Sequence, residues 1–339
     1  MTIKDNDKIL LAHGSGGRLY HQLVEDVFLP HFQNPMLADL GDSAICPFVG
    51  DKLAMTTDSF VVQPLFFPGG NIGELAVCGT VNDLAMSGAR PLYLSVGMII
   101  EAGFAVSDLL RIVSAMAEKA AQAGVMIVTG DTKVVGAGQC DGIYINTAGV
   151  GVVEPDRDLS KRKMQVGDMI IVSGTLADHG IAVMAARENL ALDPPIKSDA
   201  APLNTLAEAL LLAAPGIKVM RDPTRGGVAT TLNEWAQGSD LGILLNEEAI
   251  PVAPEVASAC ELLGLDPLYV ANEGKLLAVV PKEESEAALK ALLAHPLGKN
   301  AAIIGSMTGE HSGKVYLSTP YGGLRMVDML TGEQLPRIC

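Results

Sequence analysis

The stretch NIGELAVCGTVNDLAMSGA, from Asn71 to Ala89, does most to restrict the fold. It reads as a helix, opened by Asn71 and Glu74 at capping-box spacing. Nearly every residue in it is apolar or small, and a helix with no polar side is a buried one. Asn82 and Asp83 interrupt it. An unpaired carboxylate on such an element is several kcal/mol unfavourable, so Asp83 needs a cation or hydrogen-bond donors.

Strand patterns surround this helix. KLAMTTDS reads as a strand from Lys52 to Thr57 that closes on a polar turn. LYLSVGMII is a second strand, VMIVTGDTK a third that leads into a turn, and GIYINTAGVGVV a long fourth. Between them, VSDLLRIVSAMAEKAAQAG has strong helical periodicity and stops at Gly124. The charged, proline-bearing stretch EPDRDLSKRKMQVGD breaks the pattern and marks a domain boundary between Glu154 and Gly167. MIIVSG opens the second half. Helices follow around Ile181 to Glu188, Asn204 to Ala213 and Val228 to Ala236, with strand-like pieces at GILL, KLLAVV, AAIIGSM and KVYLS. The expected class is α/β (α+β), with domains at 1–153 and 154–329 and a non-periodic tail at 330–339. Nine extended residues of such a tail reach ~30 Å.

The bulk properties narrow the function. A length of 339 residues suits about two domains of ~150 residues each. A formal charge of −15 argues against sequence-independent nucleic-acid binding, which depends on Lys and Arg at phosphates. No apolar run approaches the ~20 residues that span a bilayer, and the start has no signal-peptide pattern, so the expectation is a soluble cytoplasmic protein. The five cysteines, Cys46, Cys78, Cys140, Cys260 and Cys339, are widely spaced and form no C-x-x-C, which fits reduced thiols. Cys339 as last residue reads, by itself, as incidental. A prenylation box would need its cysteine four positions from the end.

Several motifs carry chemistry. HGSGGR, His13 to Arg18, exposes backbone N–H groups through Gly14, Gly16 and Gly17, which suits an anion cradle or merely a flexible loop. It is neither a Walker A nor a dinucleotide fingerprint. Asp42, Asp58, Asp83 and Asp131 stand in LGDSA, TTDS, VNDLAM and TGDTK. Each fits a turn cap, and together they fit Mg²⁺ bridged to a nucleoside triphosphate. RDPTRGG places Arg225 before a helix start, suited to a phosphate or to a plain Arg-Asp turn. In VANEGKLLAVV, Glu273 and Lys275 precede a strand, and Lys133 lies two residues after Asp131. Either type of side chain transfers protons once its pKa is tuned. The six histidines show no ligand spacing.

Together, HGSGG, TTDS, VNDLAMSGARP, TGDTKVV, RDPTRGG, NEGK and the closing PRIC resemble the HypE family of hydrogenase maturation factors. That family lies in the ATP-binding superfamily of aminoimidazole ribonucleotide synthetase, selenophosphate synthetase and thiamin-monophosphate kinase. The resemblance runs from about residue 9 to residue 339; the internal motifs point to the superfamily, and PRIC joined to them points to HypE. Selenophosphate synthetase would carry a reactive Cys or selenocysteine near its glycine loop, whereas the first cysteine here is Cys46.

The resemblance implies a two-domain aminoimidazole ribonucleotide synthetase-like chain that dimerises through the sheet of its N-terminal domain, with ATP and Mg²⁺ near that interface and a mobile tail. It makes Cys339 a carrier. A carbamoyltransferase, HypF, places a carboxamide on the thiol, ATP-dependent dehydration makes a thiocyanate, and the cyano group passes to iron on a HypC–HypD scaffold for the [NiFe] hydrogenase. By resemblance Asp58, Asp83 and Asp131 hold Mg²⁺, while Gly14, Ser15, Gly16, Gly17, Asp42, Asn82, Thr132 and Arg225 join them around ATP. Glu273 is then the base, and Lys133 steadies the phosphates or the developing charge. The competing readings are a small-molecule ATP-dependent kinase or synthetase, and a non-catalytic maturation scaffold.

Overall fold

Two large β-sheets, each backed by helices, and a two-stranded one carry the chain in the computed structural model, which describes residues 3–14, 18–37 and 43–329. Ser15, Gly16, Gly17, Asp42 and the 330–339 tail with Cys339 lie outside the described residues.

The first body begins with short helices α1 (Arg18–Leu23) and α2 (Leu29–Phe32) on either side of a π-helical turn, Val24–Phe28. It continues through β1 (Lys52–Phe60), β2 (Phe66–Phe67), β3 (Gly70–Asn71), α3 (Ile72–Met86), β4 (Ala89–Glu101), α4 (Val106–Ala123), β5 (Met126–Val135) and β6 (Ile143–Val153). The sheet order is β1-β6-β4-β5, with β6 antiparallel to both neighbours and β4 parallel to β5 across the α4 connection. One face of this sheet is covered by α3 and α4 over a core that includes Ile72, Leu75, Ile112, Met116, Leu94 and Ile145. The other face is open: Leu53, Met55 and Ile99 are exposed.

Helix α3 is almost wholly buried, as its composition requires. The Asn71 carboxamide caps it by accepting from the Gly73 and Glu74 N–H groups at 2.8 and 3.4 Å. The Glu74 carboxylate, expected to complete a capping box, pairs with Lys119 of α4 at 3.2 Å. Gly79 lets α3 approach β1, because a Cβ there would come within 2.9 Å of the Phe60 ring. Helix α4 ends on Gly124 in the left-handed conformation at φ 70°, as the sequence predicts.

Two strands run further than expected. β1 continues through Asp58 to Phe60, and β5 through Asp131 to Val135, so neither aspartate sits in a turn. The reason lies on the partner strands. β6 pairs β1 as far as Phe60↔Ile145, and the Asn146 amide donates to the Asp58 carbonyl at 2.9 Å.

The second body comprises β7 (Met169–Val172), α5 (Asp178–Arg187), α6 (Asn204–Ala213), β8 (Val219–Arg221), α7 (Gly227–Ala236), β9 (Gly242–Asn246), α8 (Pro254–Leu263), β10 (Leu277–Val280), α9 (Ser285–Ala294), β11 (Ala302–Thr308), β12 (Val315–Ser318) and β13 (Leu324–Met326). Its sheet order is β13-β12-β9-β11-β7-β10-β8, antiparallel except for the β12–β9 pair. β10 is buried on both sides. Leu277 and Val279 join the core under α7, while Ala278 and Val280 join the core under α6 and α9. Among the described residues, no helix is long and apolar enough to cross a membrane.

Candidate active site between the two bodies

The end of α3 and strand β1 face the β8–α7 loop and the 272–276 segment of the second body across a cavity of about 460 Å³. Asp58 and Asp83 line one wall. Asp58 points inward from β1, and one turn beyond Gly79 the helix presents Asp83, which accepts a hydrogen bond from the Thr56 hydroxyl at 2.8 Å. Asp222, Arg225 and Glu273 line the other wall, with Thr230, Thr231 and Glu234 supplied by α7. Arg225 reaches across to Asp58 at 3.4 Å, while Arg221 pairs with Glu234 at 3.1 Å.

Carboxylates dominate the electrostatics. Glu273 is 1% exposed, and its Oε1 is buried without a hydrogen-bond partner. Burial raises its pKa well above the usual carboxylate range, and the charges of Asp222, Asp199, Asp58 and Asp83 add to the rise. Burial also pushes Asp222 up to about 7, with Asp83 and Asp58 contributing and the Arg221 charge opposing. Asp58 is raised by the same desolvation, helped by Asp83 and opposed by the Ser59 N–H and Arg225. Such a cavity accepts protons, holds a cation, and receives a group rich in hydrogen-bond donors.

The expected site residues fall into two groups. Asp58, Asp83, Arg225 and Glu273 meet at this cavity. Asp131, Thr132 and Lys133 lie on β5, the far edge of the first sheet. The row Ser59–Asn146–Gly97–Asp131 puts three strand spacings, roughly 14 Å, between β1 and Asp131. The trio Asp58, Asp83 and Asp131 is therefore not assembled within one chain, and the described residues contain no cluster of three or more metal-ligating side chains. Asp58 and Asp83 alone still suit Mg²⁺, which commonly uses one or two carboxylates plus phosphate oxygens and waters. Lys133 pairs with Asp131 at 2.9 Å on an exposed surface. Gly14 packs beside them, with the Val134 backbone 2.5 Å from where its Cβ would stand. A second pocket of about 470 Å³, lined by Tyr20, Phe28, Phe32, Val96, Asp131 and Thr132 among others, adjoins this edge.

Asn82 is a correction. Its side chain does not face the cavity as a cofactor ligand. It is fully buried, its amide donates to the Ala201 and Glu273 carbonyls at 3.1 and 3.2 Å, and its oxygen accepts the Leu203 N–H at 2.7 Å. Every strong hydrogen-bonding group of the side chain is thus occupied by backbone of the second body. His13, in the glycine-loop motif, is likewise structural: it is buried and its Nδ1 accepts the Leu10 N–H at 3.0 Å. Asp222, on the cavity wall, and Asp199, bonded to the Glu273 N–H behind it, are carboxylates that the sequence does not announce. RDPTRGG contains the first, but a carboxylate beside arginines reads as a surface turn.

A four-stranded sheet domain and a seven-stranded one, meeting at an acidic cleft, define a protein of the AIR synthase related class. The family model for the N-terminal domain of AIR synthase related proteins matches residues 41–153, and the C-terminal-domain model matches residues 165–318. The sequence is 52% identical over 342 residues to carbamoyl dehydratase HypE of Rhodobacter capsulatus, covering 100% of both chains. The fold is similar to that of hydrogenase maturation protein HypE in complex with ATP, at TM-score 0.94 and 49% identity, over 97% of this chain and 99% of that one. It is also similar to a chain of the HypE–HypF complex, at TM-score 0.80 and 50% identity, over 91% of this chain and 99% of that one. The chain belongs to the HypE family.

Proposed function

We propose that the protein is an ATP-dependent carbamoyl dehydratase that converts a carboxamide carried on the Cys339 thiol into a thiocyanate. The observation that carries this reading is the Glu273 carboxyl, sealed and without a partner at Oε1, in a cavity whose opposite wall bears Asp58 and Asp83. The full-length likeness to carbamoyl dehydratases and to an ATP-bound relative supports it.

The overall change takes R–S–C(=O)–NH₂ and ATP to R–S–C≡N, ADP and phosphate. The oxygen leaves as phosphate, and the nitrogen gives up both protons as the triple bond forms. When bound, Mg·ATP supplies the phosphoryl group that makes the carboxamide oxygen a leaving group. Asp58 and Asp83 hold the metal. Arg225, on an exposed side chain able to swing from Asp58, neutralises phosphate charge. Glu273 accepts protons from the nitrogen. Its raised pKa makes the carboxylate a stronger proton acceptor than a solvated one.

A second copy of the chain supplies the rest. The open face of the first sheet bears exposed Leu53, Met55 and Ile99, an apolar surface suited to a homodimer. Pairing through it brings Asp131, Thr132 and Lys133 of one protomer towards Asp58 and Asp83 of the other, so that metal and phosphates are held from both sides. The glycine loop from Gly14 to Gly17, with Asp42, completes the nucleotide's surroundings. HypF, which assembles with a relative of this chain, loads the carboxamide. The cyano group then passes to iron on a HypC–HypD scaffold in the cytoplasm.

The test is the mass of the final tryptic peptide after the full-length protein is incubated with carbamoyltransferase, carbamoyl phosphate and ATP. The peptide gains a carbamoyl group and then loses one water. Glu273→Gln stops at the carbamoyl stage. A final peptide that never gains mass refutes the carrier role of Cys339, and full dehydration by Glu273→Gln refutes the base.

A further inference from the structure

The segment that carries Glu273 is held by an arrangement that the proposed reaction does not itself require. The Glu273 N–H donates to Asp199 Oδ1 at 3.1 Å. Its carbonyl accepts from the Asn82 amide at 3.2 Å. The peptide units on both sides of Glu273 are thus fixed by side chains from two different places, the loop before α6 and helix α3 of the first body. The Asp199 side chain is 4% exposed, and its other oxygen pairs with Lys275 Nζ at 3.0 Å. Lys275 also lies 3.6 Å from Asp178, which accepts the Thr175 hydroxyl at 2.6 Å. Burial works against the Asp199 charge, but the Lys275 ammonium, the His179 charge and the Glu273 N–H together keep the carboxyl below the usual range. Between the two anchored residues stands Gly274, where any Cβ would overlap the Asp199 carbonyl. The close approach of the two backbones requires glycine at this position.

We propose that Asp199 and Asn82 are positioning residues for Glu273, a two-point clamp that holds the base at a fixed place relative to Asp83. Asn82 precedes Asp83 on α3, so one helix turn sets both the carboxylate wall of the cavity and the carbonyl anchor of the base. Lys275 locks Asp199 in turn. The proposal rests on the reading of Glu273 as the base. It accounts for the Lys in NEGK and for the aspartate in KSDAAP, neither of which lines the cavity itself.

The test uses the full-length, carbamoylated chain with Mg·ATP, and reads the kcat and KM of dehydration across pH. Asp199→Asn and Asn82→Ala each lower kcat about 10- to 100-fold, the cost of a misplaced reacting group, while KM for ATP changes less than about 2-fold. The pH profile separates positioning from general damage. Asp222, Asp199, Asp58, Asp83 and Lys275 are the charged groups around Glu273. Removing the Asp199 charge lets Glu273 lose its proton more easily, and the less-compensated Lys275 pushes the same way. The ascending limb of the profile therefore moves to lower pH in Asp199→Asn. Asn82→Ala removes no charge and leaves the limb in place. Arg325→Met, which breaks the 2.7 Å pair with Asp266 outside the cavity lining, changes neither kcat nor the limb. Should Asp199→Asn fail to fold by circular dichroism, Asn82→Ser carries the kcat test. Wild-type kcat in the folded clamp variants overturns the proposal, and so does a slowed Asp199→Asn with an unmoved limb. Activity retained by Glu273→Gln overturns the base assignment instead, and is scored separately.

Discussion

Asp222→Asn is expected to stabilise the ligand-free protein, by an amount that grows with pH. The carboxyl is 7% exposed and pushed up to about 7, chiefly by burial and then by the Asp83 charge. An unfolded chain holds an aspartate near ~3.9. Between those values the unfolded state has released its proton while the folded state keeps it, so stability falls as pH rises from about 4 to about 7 and is level beyond. A separation of about three pKa units corresponds to ~4 kcal/mol at and above neutrality. Asparagine has nearly the same shape and no charge at any pH. Its advantage over wild type therefore runs from about zero near pH 4 to as much as ~4 kcal/mol at pH 8. The assay is urea denaturation of both proteins without nucleotide at pH 4.5, 6 and 8, followed by circular dichroism, with the difference in unfolding free energy plotted against pH. A difference independent of pH, or one that shrinks as pH rises, refutes the reasoning.

Three further outcomes follow from the geometry. Arg225→Ala removes an exposed pair with Asp58, so stability changes by less than ~0.5 kcal/mol while KM for ATP rises about 10-fold; an unaltered KM would remove Arg225 from the phosphate site. Met55→Lys puts a charge on the open face of the first sheet; if that face is the proposed dimer surface, light scattering is expected to show a monomer, with ATP-dependent turnover lost. Gly149→Ala sets a Cβ 2.7 Å from Thr80 and 2.9 Å from Leu84, which costs about 1–3 kcal/mol in a urea melt without changing KM for ATP.

What was legible in the sequence was whatever depends on near neighbours. The buried character of α3, its Asn71 cap, the Gly124 stop of α4 and the span of α6 follow from periodicity and capping chemistry, and the structure agrees. The early ends assigned to β1 and β5 failed because Thr-Asp pairs look like turns locally, while the strand bonds that carry them onward come from β6 and β4, far along the chain. Helices α8 and α9 are not legible in the sequence, since PEVASACELL and SEAALKALLA mix small and charged residues without a strong apolar stripe. At the site, Glu273, Asp58 and Asp83 could be named because each stands in a recognisable motif. Asn82, placed at the nucleotide by resemblance, instead bonds the second body's backbone, since successive helix residues point about 100° apart and of the two only Asp83 faces the cavity. Asp199 is silent for the opposite reason: KSDAAP reads as an ordinary polar loop, and only tertiary burial beside Lys275 reveals it.

The last turn of α3 has a consequence for how the protein comes apart. Ala85 and Met86 belong to the same apolar cluster as Leu203, Leu206 and Leu210, so a helix born in one sheet's layer finishes inside the other's interior. Neither half can be unravelled while its neighbour stays whole, and calorimetry is accordingly expected to record one endotherm where two separate modules would give a pair.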